Sequence, residues 1–119
     1  MFYACKNLEK LNLSSFSTTN VKTMSYMFGY CHKLSELDIS NFTTDNLIYM
    51  DNMFYECENL KSLTFYKFTN TKVKFIENLF YGCFSLKNIN FINFTNKVED
   101  MSSMFESCIS LKNLISFIF

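Results

Sequence analysis

Apolar positions return along this chain in a fixed order, and their period changes within every stretch of about 26 residues. Over Lys10–Ser14 they alternate: Leu11 and Leu13 are apolar, while Lys10, Asn12 and Ser14 are polar. That is the period of a strand with one buried face. Over Val21, Met24, Met27, Phe28 and Cys31 the spacing becomes i, i+3, i+6, i+7, i+10, which predicts one stripe of a short helix. Thr18 and Thr19 precede that stripe as N-cap candidates, and Thr44 with Asp45, and Asn70 with Thr71, repeat the signal. Each unit therefore reads as a strand, a turn and a helix of two to three turns.

The same pattern divides the whole chain. Cutting before each Met-Phe or Leu-Phe pair gives units 1–26, 27–52, 53–78 and 79–103, and a partial unit 104–119. All five cysteines, Cys5, Cys31, Cys57, Cys83 and Cys108, fall on one repeat position. Leu8, Leu34, Leu60, Leu86 and Leu111 follow three residues later, and Phe16, Phe42, Phe68, Phe94 and Phe119 mark another position. One unit cannot bury its apolar stripe alone, whereas stacked units cover one another. The expected fold is therefore an α/β repeat solenoid of about 4.5 coils of 26 residues. Its parallel strands, about 4.8 Å apart, lie on one face and its short helices on the other.

The word LxLSxFxTxxVxxMxxMFxxCxxL, as in LNLSSFSTTNVKTMSYMFGYCHKL and LDISNFTTDNLIYMDNMFYECENL, resembles the leucine-rich repeats of BspA-type bacterial surface proteins. A typical leucine-rich repeat has Asn or Cys where this chain has Phe16, Phe42, Phe68 and Phe94. The resemblance covers the chain and loses phase at Ser116. It implies a leucine-rich-repeat solenoid, a cell-surface or secreted setting, and adhesion or interaction with host, matrix or cell-surface proteins. It carries no catalytic residues. The array opens and closes mid-unit, so the chain reads as a stretch of a longer array whose neighbouring repeats are its first partners.

Composition narrows the chemistry. Eleven Lys and Arg balance eleven Asp and Glu, which gives no electrostatic argument for nucleic acid or an anionic membrane surface. With Gly29 and Gly82 as the glycines and no proline, no Gly-rich phosphate loop can form. No apolar run is long enough for a spanning helix. The cysteines are too widely spaced for a zinc motif, and His32 stands alone beside Cys31. Neither a metal, a cofactor nor a catalytic group is expected. Stacked cysteines would sit within disulfide range, but their Cβ atoms should point the same way, so the expectation is an unbridged buried ladder. Asn12-Leu-Ser14, Asn41-Phe-Thr43 and Asn93-Phe-Thr95 match the glycosylation sequon and read as products of the repeat. Met24, Met27, Met50, Met53, Met101 and Met104 fall on the buried phase and read as core.

Recognition would then use the outward strand positions, which packing leaves free. Read across the stack these are Lys10, Asn12, Ser14; Glu36, Asp38, Ser40; Ser62, Thr64, Tyr66; Asn88, Asn90, Ile92; and Asn113, Ile115, Phe117. The face changes from charged, at Glu36 and Asp38, to apolar, at Tyr66, Ile92, Ile115 and Phe117. These six are the candidate protein-binding residues. The function expected is a non-enzymatic interaction or adhesion module. The alternatives are a spacer array with no ligand, or the targeting part of a longer secreted effector.

Overall fold

The computed structural model describes residues 1–66, 68, 72–94 and 98–117, with the side chains of residues 93, 94 and 115–117 outside the description. Three parallel strands form one sheet in the order β1 (Ser62–Phe65), β2 (Asn88–Phe94), β3 (Asn113–Phe117). Ser62, Leu63, Thr64 and Phe65 pair with Asn88, Ile89, Asn90 and Phe91 in unbroken register. Asn88, Ile89 and Asn90 pair with Asn113, Leu114 and Ile115, after which the register shifts and Phe94 faces Phe117. Burial alternates along β1, with Leu63 and Phe65 inside, as the period-two pattern requires.

No helix occurs among the described residues, which overturns the expected α/β leucine-rich-repeat solenoid with helices on one face. The physical reason lies in where the backbone amides go. In the Met-Phe segment one set of N–H groups closes local turns: Met27 N–H donates to Met24 C=O, Gly29 to Tyr26, Cys31 to Phe28 and Leu34 to Cys31. A second set, at even positions from 24 to 30, leaves the repeat and donates to the next one. Met24 donates to Tyr49 C=O, Tyr26 to Asp51, Phe28 to Met53 and Tyr30 to Tyr55, at 2.7–3.2 Å. An α-helix needs every one of these amides for its own i−4 carbonyl. A run of overlapping four-residue turns also returns side chains to one side every three or four positions, so its sequence pattern matches that of a helix.

Each such run needs residues with positive φ. Tyr26, Tyr30, Asn52, Glu56, Asn78, Ser103 and Ser107 adopt φ of 51–64°, and Gly82 adopts 71°. The third position of a type II turn requires this conformation. None of these residues is β-branched, the class for which positive φ is most strained. Because peptide units are shared, the inter-repeat bonds join into continuous columns. One runs from Phe2 N–H through the peptides 27–28, 53–54 and 79–80 to Met104 C=O. Another runs from Ala4 through 29–30, 55–56 and 81–82 to Glu106.

Strands are recognised from the third repeat onward, although Leu11–Ser14 and Leu37–Ser40 carry the same alternation. In the first two repeats a side chain captures the next amide but one. Asn12 Oδ1 accepts from Ser14 N–H at 2.9 Å, and Asp38 Oδ1 from Ser40 N–H at 2.8 Å. Such local turns compete with a strand ladder for the same donors. Thr64 occupies this position in β1, and in β2 Asn90 Oδ1 is buried without a hydrogen-bond partner. The N-cap expectation fails with the helix. The Thr18 hydroxyl instead clamps two repeats together, donating to Thr43 C=O at 2.9 Å and accepting from Thr43 N–H at 2.8 Å. Asn70 and Thr71 lie outside the described residues. Thr18→Val should lower stability by about 2 kcal/mol, because it strands both Thr43 groups. Thr18→Ser should recover most of that loss in urea unfolding at unchanged m-value.

The core sits between the sheet and the turn runs. Phe2, Phe28, Phe54, Phe80 and Phe105 stack with centroids 5.5–5.9 Å apart and planes within 9° of parallel. Phe65 and Phe91 stack at 4.6 Å and meet Phe54 and Phe80 edge-on. Met24, Met50, Met53 and Met104 are buried and Met27 and Met101 pack against them, so the methionine stripe is core.

Candidate functional site

The outward side of the sheet and of the segments preceding it forms a shallow trough. Lys10, Glu36, Leu37, Asp38 and Ser62 line one depression of about 300 Å³. Asp38, Ser40, Ser62, Thr64 and Tyr66 line the adjoining one, of about 260 Å³. A third, of about 300 Å³, adds Glu9, Lys33, Ser35, Asn59 and Lys61 to Lys10. Glu36 and Asp38 are exposed. The Ser40 side chain and backbone hydrogen-bond to Asp38 and hold its carboxyl below the usual value, so it carries full charge at neutral pH. Tyr66, 49% exposed, stands one residue past the Phe65–Phe91 pair, where the register brings it level with Ile92. Ile92 is half-buried. Ile115 pairs with Asn90, and Phe117 pairs with Phe94, two residues beyond Ile92. The side chains of Ile115 and Phe117 lie outside the description. The structure thus brings Glu36, Asp38 and Tyr66 to one trough.

The cysteines show what the recurrent thiol does. All five are free. Cys31, Cys57, Cys83 and Cys108 each direct Sγ at a phenylalanine carbonyl of the preceding repeat, Phe2, Phe28, Phe54 and Phe80, at 3.1–3.2 Å. Burial pushes the thiols up: Cys108 to about 11, Cys31 upward, and Cys57 and Cys83 well above the ordinary range. A nucleophilic cysteine needs the opposite shift. The ladder is incomplete at its margins, since Cys5 is exposed and Cys108 only half-buried.

The sequons fare differently. Asn41 Nδ2, the atom a glycan would occupy, donates to Leu13 C=O at 2.9 Å and Phe16 C=O at 3.0 Å. Asn12 is exposed, and the Asn93 side chain lies outside the description. Among the described residues, those suited to a metal are His32, Glu56 and Glu58, whose ligand atoms lie within 4.8 Å of one another. Sequence reasoning set His32 aside because the cysteines are too widely spaced for a zinc motif and the chain has no second histidine. The signal that finds the group is the repeat register, which places position 58 beside position 32.

Five repeats in one register, with cysteine, phenylalanine and leucine at fixed places, lead to a family match over nearly the whole chain. The chain belongs to the DUF285 family. Its family model, described as Mycoplasma protein of unknown function, matches residues 1–117. No curated protein and no solved structure matches the chain. The DUF285 match spans the stretch over which the inter-repeat hydrogen bonds run, from Phe2 to Asn113.

Proposed function

We propose that this DUF285 chain is a non-enzymatic protein-interaction or adhesion module of a surface or secreted protein, with repeats of the BspA type. The observation that carries the reading is the trough over Lys10, Glu36, Asp38, Ser62, Thr64 and Tyr66. Its depressions are open and share residues, which suits an extended macromolecular partner better than an enclosed small ligand. Charge at Glu36 and Asp38 gives way to the aromatic surface of Tyr66, the mixture that protein interfaces use. Cys31, Cys57, Cys83 and Cys108 add no catalytic alternative, because burial raises their thiols and favours the protonated form. No helix among the described residues is long and apolar enough to cross a membrane.

The test is binding of the purified chain to immobilised extracellular-matrix proteins and to whole host cells. Tyr66→Ser with Ile92→Ser should reduce capture at least tenfold while leaving the unfolding transition in place. Glu36→Gln with Asp38→Asn should weaken the salt-dependent part of binding. Capture that is unchanged in both variants sinks the assignment of the trough. A wild-type chain that captures nothing favours a spacer array, or the targeting part of a longer effector.

A further inference from the structure

Stacking brings together three side chains that no short motif joins. His32 and Glu58 occupy the same place in successive repeats, 26 residues apart, and Glu56 stands two residues before Glu58. All three are half-buried. His32 Nε2 is 3.9 Å from Glu56 Oε2, beyond hydrogen-bond length. This nitrogen is also sealed from solvent and has no hydrogen-bond partner. A sealed polar atom of this kind is unfavourable until something supplies a partner.

We propose that His32, Glu56 and Glu58 bind one divalent first-row transition cation, with Zn²⁺ as the reference ion. One neutral imidazole and two carboxylates balance a +2 charge, and the nitrogen donor favours zinc-like ions over Mg²⁺ and Ca²⁺. Bonds of about 2.0–2.2 Å put neighbouring tetrahedral ligands roughly 3.4 Å apart. The three side chains therefore close in by up to about 1.4 Å, within reach of rotamer adjustment at half-buried positions.

The surroundings fit an oriented donor set. Asn59 Nδ2 donates to the His32 carbonyl, and the Tyr30 ring packs edge-on against the imidazole at 6.1 Å. Gly82 leaves room for Glu56: a Cβ there would come within 3.0 Å of Glu56 Cγ. The later repeats carry Phe84 and Ile109 at the position of His32 and Glu58. The donor set is thus particular to the second and third repeats and is not a by-product of the repeat word.

The experiment is calorimetric titration of the untagged chain with Zn²⁺, with Co²⁺ as the spectroscopic probe. A Cys5→Ser background removes the exposed thiol as a competing ligand. The expected result is one ion per chain, movement of the single histidine's ring signals in NMR, and a rise in unfolding temperature. His32→Ala and Glu58→Gln should each weaken binding at least tenfold while circular dichroism stays unchanged. The proposal is overturned if no ion binds, if binding survives both substitutions, if it vanishes with Cys5→Ser, or if Ca²⁺ binds as tightly as Zn²⁺.

Discussion

Phe80→Ala should remove about 3–5 kcal/mol of stability, the range for deleting a fully buried ring. Phe80 stacks between Phe54 and Phe105 and meets Phe65 and Phe91 edge-on, so the cavity would open where two ring systems join. The rings on either side are held by inter-repeat hydrogen bonds and cannot collapse into the gap without breaking them. Against a typical total of about 5–15 kcal/mol, one substitution removes a large share of what keeps the repeats together. Phe84→Ala is the control. Phe84 is exposed, and its loss should change stability by no more than about 0.5 kcal/mol. Urea unfolding of both variants separates the cases. A loss below about 1 kcal/mol at Phe80 would mean that the phenylalanine stack is not the support described.

The thiols should differ in reactivity by orders of magnitude although they share one repeat position. Alkylation of the native chain at pH 8, followed by peptide mapping, should label exposed Cys5 first. Cys108, with its thiol pushed up to about 11 from an ordinary 9.0, should carry about 100-fold less thiolate. Cys57 and Cys83 should label only when the stack opens. The same shifts predict alkaline sensitivity. Folded-state values raised above unfolded ones favour the fold below pH 9, and that contribution is lost progressively as pH rises from 9 through 11 and beyond. Cys57→Ala and Cys83→Ala should flatten this decline. Equal labelling of Cys83 and Cys5 in the folded chain would contradict the ladder.

The sheet was legible where alternation stood without competition. Ser62–Phe65 reads as a strand and is one, because Thr64 does not capture a neighbouring amide. Leu37–Ser40 reads the same way, but Asp38 diverts the Ser40 N–H. The helix expectation failed because spacing reports which side chains share a side, not which carbonyl each amide reaches. Met24, Met27 and Phe28 face inward as a helical stripe would place them, yet the amides of Met24 and Phe28 belong to the next repeat. Composition leaves one trace of this: Asn52, Asn78 and Gly82 stand at turn positions needing positive φ. Of the candidate site, Glu36, Asp38 and Tyr66 were found by strand phase alone. His32 escaped because its partners are neighbours only once the repeats are laid side by side.

The peptide columns of the turn runs have an electrostatic consequence. In the columns through Met24, Tyr26, Phe28 and Tyr30 the N–H points toward later repeats, whereas in the columns through Lys22, Ile48, Lys74 and Glu99 and through Glu9, Ser35, Lys61, Lys87 and Lys112 it points toward earlier ones, so the peptide dipoles of the two sets oppose each other. Opposed columns partly cancel along the stack, so its summed peptide dipole falls short of what the same number of aligned columns would give. Side-chain charge is uneven along the stack: Lys6, Lys10 and Lys22 against Glu9 make the first unit net positive, Glu36, Asp38, Asp45 and Asp51 against Lys33 make the second net negative, and units 79–103 and 104–119 are each neutral. A chain with no net charge thus sets a positive unit beside a negative one, and the trough at Lys10, Glu36 and Asp38 lies where the two meet.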